Sequence, residues 1–508
     1  MTRYISNLLA NFAGIGTGAL LQLAFIPLYI KFLGMESYGL VGFQIMILSL
    51  MPILDLGLGT TMNRGMARYS VSPDSAREAG DFARTLEIVY WAIGISAGVA
   101  IVMAAPLIAD RWVNAEALPR NVVVRALTFI GGIASLQLPL LFYQSGLMGL
   151  QRQVLFNSVK IFMSLLGSVG AVLFLWLVSP TITAFLAWQF AVAILQIAAL
   201  RFFLWRHLAC KEERPHFSPK LLRNMWDFTA RMGGITICAA ILSHMDKILL
   251  SKMLPLKMLG YYSIAATAGS SILFMVLPVF DASFPQLSAL VASRDENGVR
   301  NLYRRSNQLI AALIMPISAV LMLFPKEVLF AWTGNPEIAG TAAPIVQFLA
   351  AGFAVNGILI IPYALQIAHG WTRLTLVTYI GLILTMTPTI YVATLKYGAT
   401  GAASVWLLTN LITMSVVIPL IHKRLLPGDS PLLFLKDLSM PLLVSGFVTV
   451  TARVIAGEAL QPRVPAILGL AGLCFLSFAL TAIASPALRR MFMDQWKIFR
   501  DTMFKSAH

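Results

Sequence analysis

Residues 241–254 read ILSHMDKILLSKML, an apolar stretch that carries three ionisable side chains within four positions. These are His244, Asp246 and Lys247. A charged side chain near the middle of a bilayer costs about 2.5–3.5 kcal/mol on insertion scales, so such residues usually face a cavity or a partner. Whether this stretch crosses a membrane therefore decides how its charges are interpreted.

The composition is typical of a membrane protein. Of 508 residues, 58% are hydrophobic and 12% charged, and the mean hydropathy is +0.78, whereas a soluble domain is about a quarter charged. Apolar runs of roughly 20 residues, enough to cross a hydrocarbon core of about 30 Å as helices, recur along the chain. Alternating strand patterns do not dominate, so helices must satisfy the backbone. We expect an all-α polytopic membrane protein with about 14 transmembrane helices.

The distribution of Lys and Arg predicts the orientation of these spans. With the N-terminus inside, the inner segments hold 25 of the 38 basic residues and the outer loops hold 10, and the other three lie in or beside spans. This bias follows the positive-inside rule and predicts that both termini are cytoplasmic. Basic inner loops facing anionic lipid headgroups also account for the net charge of +16 without a nucleic-acid partner.

A shift of 221 residues aligns the first half of the chain with the second. It pairs Lys31 with Lys252, Leu33 with Leu254, Gly39 with Gly260, Gly149 with Gly370 and Arg152 with Arg373. Similar hydropathy could produce accidental matches, but the shared residues include Gly and Arg at loop positions. The pattern predicts two six-helix lobes as a parallel internal repeat plus two C-terminal helices, an architecture that transporters use.

The predicted domain organisation follows from this repeat. An N-lobe covers residues 1–205, a cytoplasmic linker 206–231, a C-lobe 232–425, two further spans 426–484 and an amphipathic cytoplasmic tail 485–508. In the linker, Ser218 and Pro219 are typical of a helix start. Apolar stripes flanked by basic residues predict that helices in the linker and tail lie on the membrane surface.

The sequence carries no signal of catalysis or of cofactor binding. Cys210, Cys238 and Cys474 are too few and too scattered for a disulfide framework or a zinc site. The chain contains no GxxxxGK[ST], HExxH or CxxC pattern. We therefore expect no cofactor, no metal and no enzymatic activity.

Four segments resemble Wzx-type polysaccharide flippases, and together they extend over almost the whole chain. They are IPLYIKFLGMESYGL…MPILDLGLGTTMNRGMARY within residues 26–69, MDKILLSKMLPLKMLGYYSIA (245–265), FPQLSALVASRDENGVRNLYRR (284–305) and KYGATGAASVWLL (396–408). On this resemblance the chain is identified as a member of the multidrug/oligosaccharidyl-lipid/polysaccharide exporter (MOP) superfamily.

The resemblance implies two six-helix lobes around a central cavity lined largely by helices 1, 2, 7 and 8. It implies a polyprenyl-pyrophosphate oligosaccharide as cargo, moved from the inner to the outer leaflet of the bacterial plasma membrane, with a polysaccharide polymerase and chain-length machinery as possible partners. A drug or cation antiporter of the same superfamily and a lipid II flippase are the alternatives. A membrane polymerase or ligase ranks last, because the longest predicted outer loop, Asp110–Arg125, is short.

The charged residues of 241–254 can now be interpreted. Lys247 and His244 are expected to face the cavity, where a pyrophosphate and its sugars need cationic and hydrogen-bonding groups. Asp246 could be a counter-ion or a proton carrier. The structural alternative remains open, in which Lys247 snorkels to the interface and Asp246 forms an ordinary salt bridge.

Weaker candidates lie on other predicted spans. Lys160, Lys31 and Asn11 are further substrate-binding candidates, although a solvated or snorkelling end would account for Lys31, a reach back to the interface for Lys160 and a bridge between helices for Asn11. Asp55 and Asp281 lie near the inner ends of the second and eighth predicted spans, Tyr38–Leu58 and Leu259–Phe280. They could gate access by pairing or could be solvated helix ends.

Overall fold

The computed structural model describes residues 2–69, 76–208, 215–456 and 463–484. Within these ranges the chain forms seventeen α-helices, a 3₁₀ helix at Met51–Asp55 and no β-strand. The α-helices are α1 Thr2–Leu33, α2 Met35–Leu50, α3 Leu58–Tyr69, α4 Ala76–Arg111, α5 Arg120–Gly149, α6 Gln153–Leu177, α7 Ile182–His207, α8 Pro219–Met253, α9 Leu256–Ser270, α10 Leu273–Ala292, α11 Glu296–Leu323, α12 Pro325–Thr333, α13 Pro336–Ile358, α14 Ile360–Ala368, α15 Thr372–Leu425, α16 Pro431–Ala456 and α17 Arg463–Ala484.

Twelve segments among the described residues are helical, long and apolar enough to cross a membrane, which confirms the all-α polytopic class. One of them, α15, has 54 residues, or about 80 Å at 1.5 Å per residue, more than twice the hydrocarbon thickness. Its backbone is broken at Gly398 (φ 60°, ψ −143°). This break lies between the two spans predicted at Leu374–Leu395 and Thr400–Ile421, so α15 accounts for both.

The predicted seventh and eighth spans differ from the observed helices. The seventh, predicted as Met232–Leu254, lies in α8, which is not among the twelve segments and runs without a break from Pro219 through residue 231. The eighth, predicted as Leu259–Phe280, is divided because α9 ends at Ser270 and α10 begins at Leu273. At this break the Ser271 hydroxyl donates to the Ala268 carbonyl at 2.7 Å, a local bond that competes with the helical ladder.

The chain divides into two compact units. The first contains Met1–Gly260 and Tyr379–Thr387, and the second contains Tyr261–Thr378 and Pro388–His508. The domain boundaries predicted at residues 205, 231, 425 and 484 stay predictions, and the predicted tail, 485–508, lies outside the described residues.

A buried carboxylate ties three helices of the first unit together. Glu87 of α4 is 1% exposed. Its Oε1 accepts hydrogen bonds from the Tyr143 hydroxyl of α5 at 2.6 Å and from the Trp205 indole of α7 at 3.2 Å. Arg84 and Arg201 complete the network, at 2.7 and 3.2 Å. These charge-assisted bonds fix α4, α5 and α7 at one end of their shared core.

In the second unit, ion pairs hold α16 at both of its ends. Near the start, Arg304 of α11 makes two bonds to Asp437, with Nε and Nη2 at 3.0 and 3.1 Å from the carboxylate oxygens. Near the other end, Arg453 pairs with Glu327 of α12. The first of the two added C-terminal helices is therefore attached to the unit by buried acidic groups.

The predicted repeat has a direct counterpart in the first unit. Gly39 of α2 lies against the backbone of Leu256, and Gly260 lies against the backbone of Met35. A shift of 221 residues converts Met35 into Leu256 and Gly39 into Gly260. The two contacts therefore join equivalent positions reciprocally, as a two-fold relation between repeats requires.

Candidate substrate-binding site

A cavity of about 340 Å³ lies inside the first unit, between α1, α2, α5, α6 and α7. Among the twenty described residues that line it, none carries a charge, and eight have side chains that can form hydrogen bonds. Those eight are Tyr29, Tyr38, Gln44, Gln137, Ser164, Ser168, Gln189 and Gln196. The cavity thus offers neutral hydrogen-bonding groups set in an otherwise apolar wall.

Helical periodicity explains how the wall is assembled. On α7, the lining residues are Gln189, Val192, Ala193 and Gln196, spaced by three, one and three positions, so they share one face of the helix. The lining residues of α2, α5 and α6 follow the same i, i+3, i+4 pattern. Each helix therefore turns a single partly polar face to the cavity.

The glutamine amides of this wall have no hydrogen-bond partner within the described part of the chain. This holds for Gln44, Gln137, Gln189 and Gln196, and also for the Ser164 hydroxyl. By contrast, the Tyr29 hydroxyl donates to the Ser168 carbonyl at 3.4 Å. Since each amide has two donors and an acceptor, the wall has bonding capacity that a polar ligand could use.

Lys160 is a predicted site residue on α6, one of the helices that line this cavity. It is half-buried and does not itself line the wall. It lies on α6, three and four positions before the lining residues Met163 and Ser164. Residues at this spacing share a helix face, with Cβ atoms about 5–6 Å apart. A cationic group therefore lies one helical turn from the neutral wall.

The three ionisable residues of α8 occupy different environments. Asp246 is 8% exposed, whereas His244 and Lys247 are half-buried. Among the described residues no ion pair involves Lys247. None of the three lines the α1–α2–α5–α6–α7 cavity, so their predicted contact with cargo stays a prediction.

Asp55 has contacts that stabilise a helix start. Its carboxylate accepts from the Gly59 backbone amide at 3.1 and 3.2 Å, at the beginning of α3, and from the Tyr90 hydroxyl. Negative charge at a helix N-terminus is stabilising. Asp55 therefore has a structural role at the start of α3. Its gating role stays a prediction.

The remaining predicted residues are not brought together by the fold. Asp281 is exposed on α10 of the second unit, and Lys31 is exposed at the end of α1. Asn11 lies in α1, and its side chain is outside the described residues.

A family model described as "Polysaccharide biosynthesis protein" matches residues 5–291, more than half of the chain. The chain belongs to this polysaccharide biosynthesis protein family. It is also 23% identical over 192 residues to the Shigella flexneri protein named "Putative O-antigen transporter". That match covers 38% of this chain and 45% of the relative, so it spans less than half of the relative's length.

Solved structures of the MOP superfamily share the fold of this family member. Lipid II flippase MurJ in an inward closed conformation superposes with a TM-score of 0.68 at 13% identity, covering 94% of this chain and 98% of that one. An inward-facing multidrug resistance MATE family transporter of the MOP superfamily gives 0.67 at 14% identity, with 81% and 96% covered. The resemblance stated from sequence is therefore confirmed for the family by the family model and for the fold by these structures.

Reasoning from sequence missed most of the polar wall. None of Gln44, Gln137, Gln189 and Gln196 was predicted as a site residue. A usable signal was present, because Gln189 and Gln196 lie seven positions apart on one face of an apolar helix. Charged residues in a span are the stronger sequence signal, because their insertion cost is larger.

Proposed function

We propose that this protein translocates polyprenyl-pyrophosphate-linked oligosaccharide repeat units from the inner to the outer leaflet of the bacterial plasma membrane for surface polysaccharide synthesis. The observation that carries the proposal is a neutral, hydrogen-bonding cavity inside a member of the polysaccharide biosynthesis protein family. The name of the Shigella flexneri relative, an O-antigen transporter, supports the same class of cargo.

The physical task is to move a polar headgroup through hydrocarbon. Hydroxyl and amide groups taken out of water without replacement bonds cost several kcal/mol each, and a pyrophosphate costs more. A protein lowers this barrier by offering hydrogen bonds and cations along the path while the lipid chain stays in the bilayer. Alternating access then exposes the headgroup to one leaflet at a time.

Specific residues are assigned to this task as part of the proposal. Lys247 and His244 offer cationic and hydrogen-bonding groups to the headgroup as it crosses. Asp246, which is buried, changes protonation or ion occupancy as the protein alternates, so that an ion gradient drives the cycle. Asp55 and Asp281 regulate access.

The proposal also assigns roles to Lys31 and Asn11 and an orientation of the chain in the membrane. Lys31 contributes positive charge where the cargo leaves, and Asn11 contacts sugar hydroxyls. With both termini cytoplasmic, the basic segments face the anionic inner leaflet, and the polymerase and chain-length machinery receive the cargo outside.

A drug or cation antiporter is less well supported by the cavity. A cationic cargo favours acidic groups in its binding site, since a charge in a low-dielectric site needs a partner. None of the described residues lining the cavity is acidic. Hydroxyl-rich cargo needs no such partner.

The decisive experiment is deletion or depletion of the gene in its native host. Surface polysaccharide, polyprenyl-pyrophosphate oligosaccharides in the inner leaflet and sensitivity to cationic drugs are measured together. Lost polysaccharide with accumulated lipid-linked repeat units supports the proposal. Normal polysaccharide with increased drug sensitivity overturns it in favour of the antiporter, and accumulated lipid II favours a lipid II flippase.

A further inference from the structure

We infer that the α1–α2–α5–α6–α7 cavity recognises an uncharged sugar of the cargo, while Lys160, one helical turn away, binds the pyrophosphate. This inference rests on the proposed function and deepens it, because it divides recognition of the headgroup between two adjacent places in the first unit. Sugar identity is then read by neutral amides, separately from the charge that every such lipid carries.

The absence of charge from the described wall argues against pyrophosphate inside the cavity itself. A multiply charged anion moved into a site without a cation keeps its full desolvation cost. Hydroxyl groups are better matched to this wall, because each hydroxyl both donates and accepts. The amides of Gln44, Gln137, Gln189 and Gln196 do the same, and none of them has a partner within the described residues. An acetamido group on a sugar would be matched equally well.

The dimensions of the cavity fit part of an oligosaccharide. Ligand pockets in proteins span about 300–1,000 Å³, and this cavity, at about 340 Å³, is near the lower limit. It therefore accommodates a sugar residue or two, while the rest of the headgroup extends beyond it. Since the pyrophosphate is attached to the first sugar of the chain, it must lie close to whichever end of the cavity that sugar occupies.

Lys160 is placed to meet that group. It precedes Ser164 by four residues and Ser168 by eight on α6, so the three share one face of the helix. A long lysine stem can cover apolar surface while its ammonium group reaches a polar partner. Among the described residues no ion pair holds Lys160, so its charge is not already neutralised by a carboxylate.

The test uses purified full-length protein in proteoliposomes and two synthetic cargoes. One is polyprenyl pyrophosphate carrying a single N-acetylglucosamine, and the other is polyprenyl pyrophosphate without sugar. Transfer between leaflets is measured for the wild type, the double variant Gln137→Leu/Gln189→Leu, Lys160→Met and the control Gln144→Leu. Gln144 lies on α5, as Gln137 does, but does not line the cavity.

The expected result separates the two cargoes. The double glutamine variant should lose roughly tenfold in transfer of the sugar-bearing lipid, because two hydrogen bonds are removed, and it should move the sugar-free lipid at the wild-type rate. Lys160→Met should slow both cargoes, and Gln144→Leu should slow neither. Unchanged transfer of the sugar-free lipid also shows that the double variant is folded.

A second variant fills the cavity without removing an amide. A Cβ atom added at Gly167 would lie 3.8 Å from Gln189 Oε1 and 3.7 Å from a Val192 methyl group, which is ordinary contact. Gly167→Leu therefore places a bulky side chain in the cavity, and we expect it to slow the sugar-bearing cargo selectively.

Two outcomes would overturn the inference alone. In the first, the glutamine and Gly167 variants transfer the sugar-bearing cargo as fast as the wild type does. In the second, these variants lose transfer of both cargoes to the same extent. A wild type that moves neither cargo would instead contradict the proposed function, on which the inference depends.

Discussion

Gly39 packs directly against the backbone of Leu256, in a contact that leaves no space for a side chain at position 39. The equivalent contact in the repeat joins Gly260 to Met35, which are the counterparts of Gly39 and Leu256 under the 221-residue shift. A Cβ atom added at Gly260 would lie 2.8 Å from the Met35 carbonyl oxygen. Backbone atoms held in helices cannot yield as a flexible side chain can. The close approach of α2 to the start of α9 therefore depends on glycine at both positions.

Gly39→Ala should lower the thermal stability of the protein, although alanine is favoured over glycine by about 1 kcal/mol inside a helix. The reason is the steric conflict with Leu256. Thermal unfolding in detergent is the measurement. Gly446→Ala is the matched control, because nothing lies within 4 Å of a Cβ atom there. Equal melting temperatures for the two variants would contradict this packing.

Gly398→Ala should also destabilise the protein, for a different reason. Gly398 has φ 60° and ψ −143°, a region that side chains other than glycine occupy at a cost of about 1–3 kcal/mol. Gly381→Ala, in the same helix with open space around it, should be neutral or slightly stabilising. If the melting temperatures of the two variants are equal, α15 does not require the break at Gly398.

Glu87→Ala should destabilise the first unit by about 1–3 kcal/mol, the cost of leaving buried hydrogen-bond donors without an acceptor. The Tyr143 hydroxyl and Trp205 indole would be those donors. Glu87→Gln keeps an acceptor and should cost less. Arg84→Ala should also cost less, because the buried carboxylate then keeps its bonds to the Tyr143 hydroxyl and the Trp205 indole. Chemical or thermal unfolding of the three variants provides the ranking.

Arg304→Ala should destabilise the second unit more than Arg305→Ala does. Arg304 makes two bonds to Asp437, whose side chain is 6% exposed, and a buried carboxylate that loses its cation pays a desolvation cost. Gln308 also donates to Asp437, at 2.6 Å, which moderates the loss. The neighbouring Arg305 is exposed as Arg304 is, but among the described residues no ion pair holds it. A double-mutant cycle of Arg304→Ala with Asp437→Asn should show coupling, and strict additivity would argue against the pair.

The class of the fold could be predicted without a structure because the bilayer imposes strong one-dimensional rules. Apolar runs of span length, the bias of Lys and Arg and the 221-residue repeat are all properties of residue order. The same is true of the family resemblance, which the match over residues 5–291 confirms. Even the break within α15 falls where the sequence separates two predicted spans.

The candidate site could be predicted only in part. Lys160 was chosen from its charge, and its helix does line the cavity through Ser164 and Ser168. The glutamines were missed because a neutral polar residue in a span is more often a bridge between helices than a ligand contact, and residue order does not distinguish the two.

The sequence by itself determined the membrane class, the repeat and the family. The tertiary structure alone decided that Glu87 is fully partnered, whereas the glutamines of α2, α5 and α7 turn unpartnered amides into one cavity. The physical reason is that membrane insertion depends on the summed polarity of each segment. Hydrogen-bond pairing depends on the rotation and packing of helices that are far apart in the chain, and no local pattern specifies either.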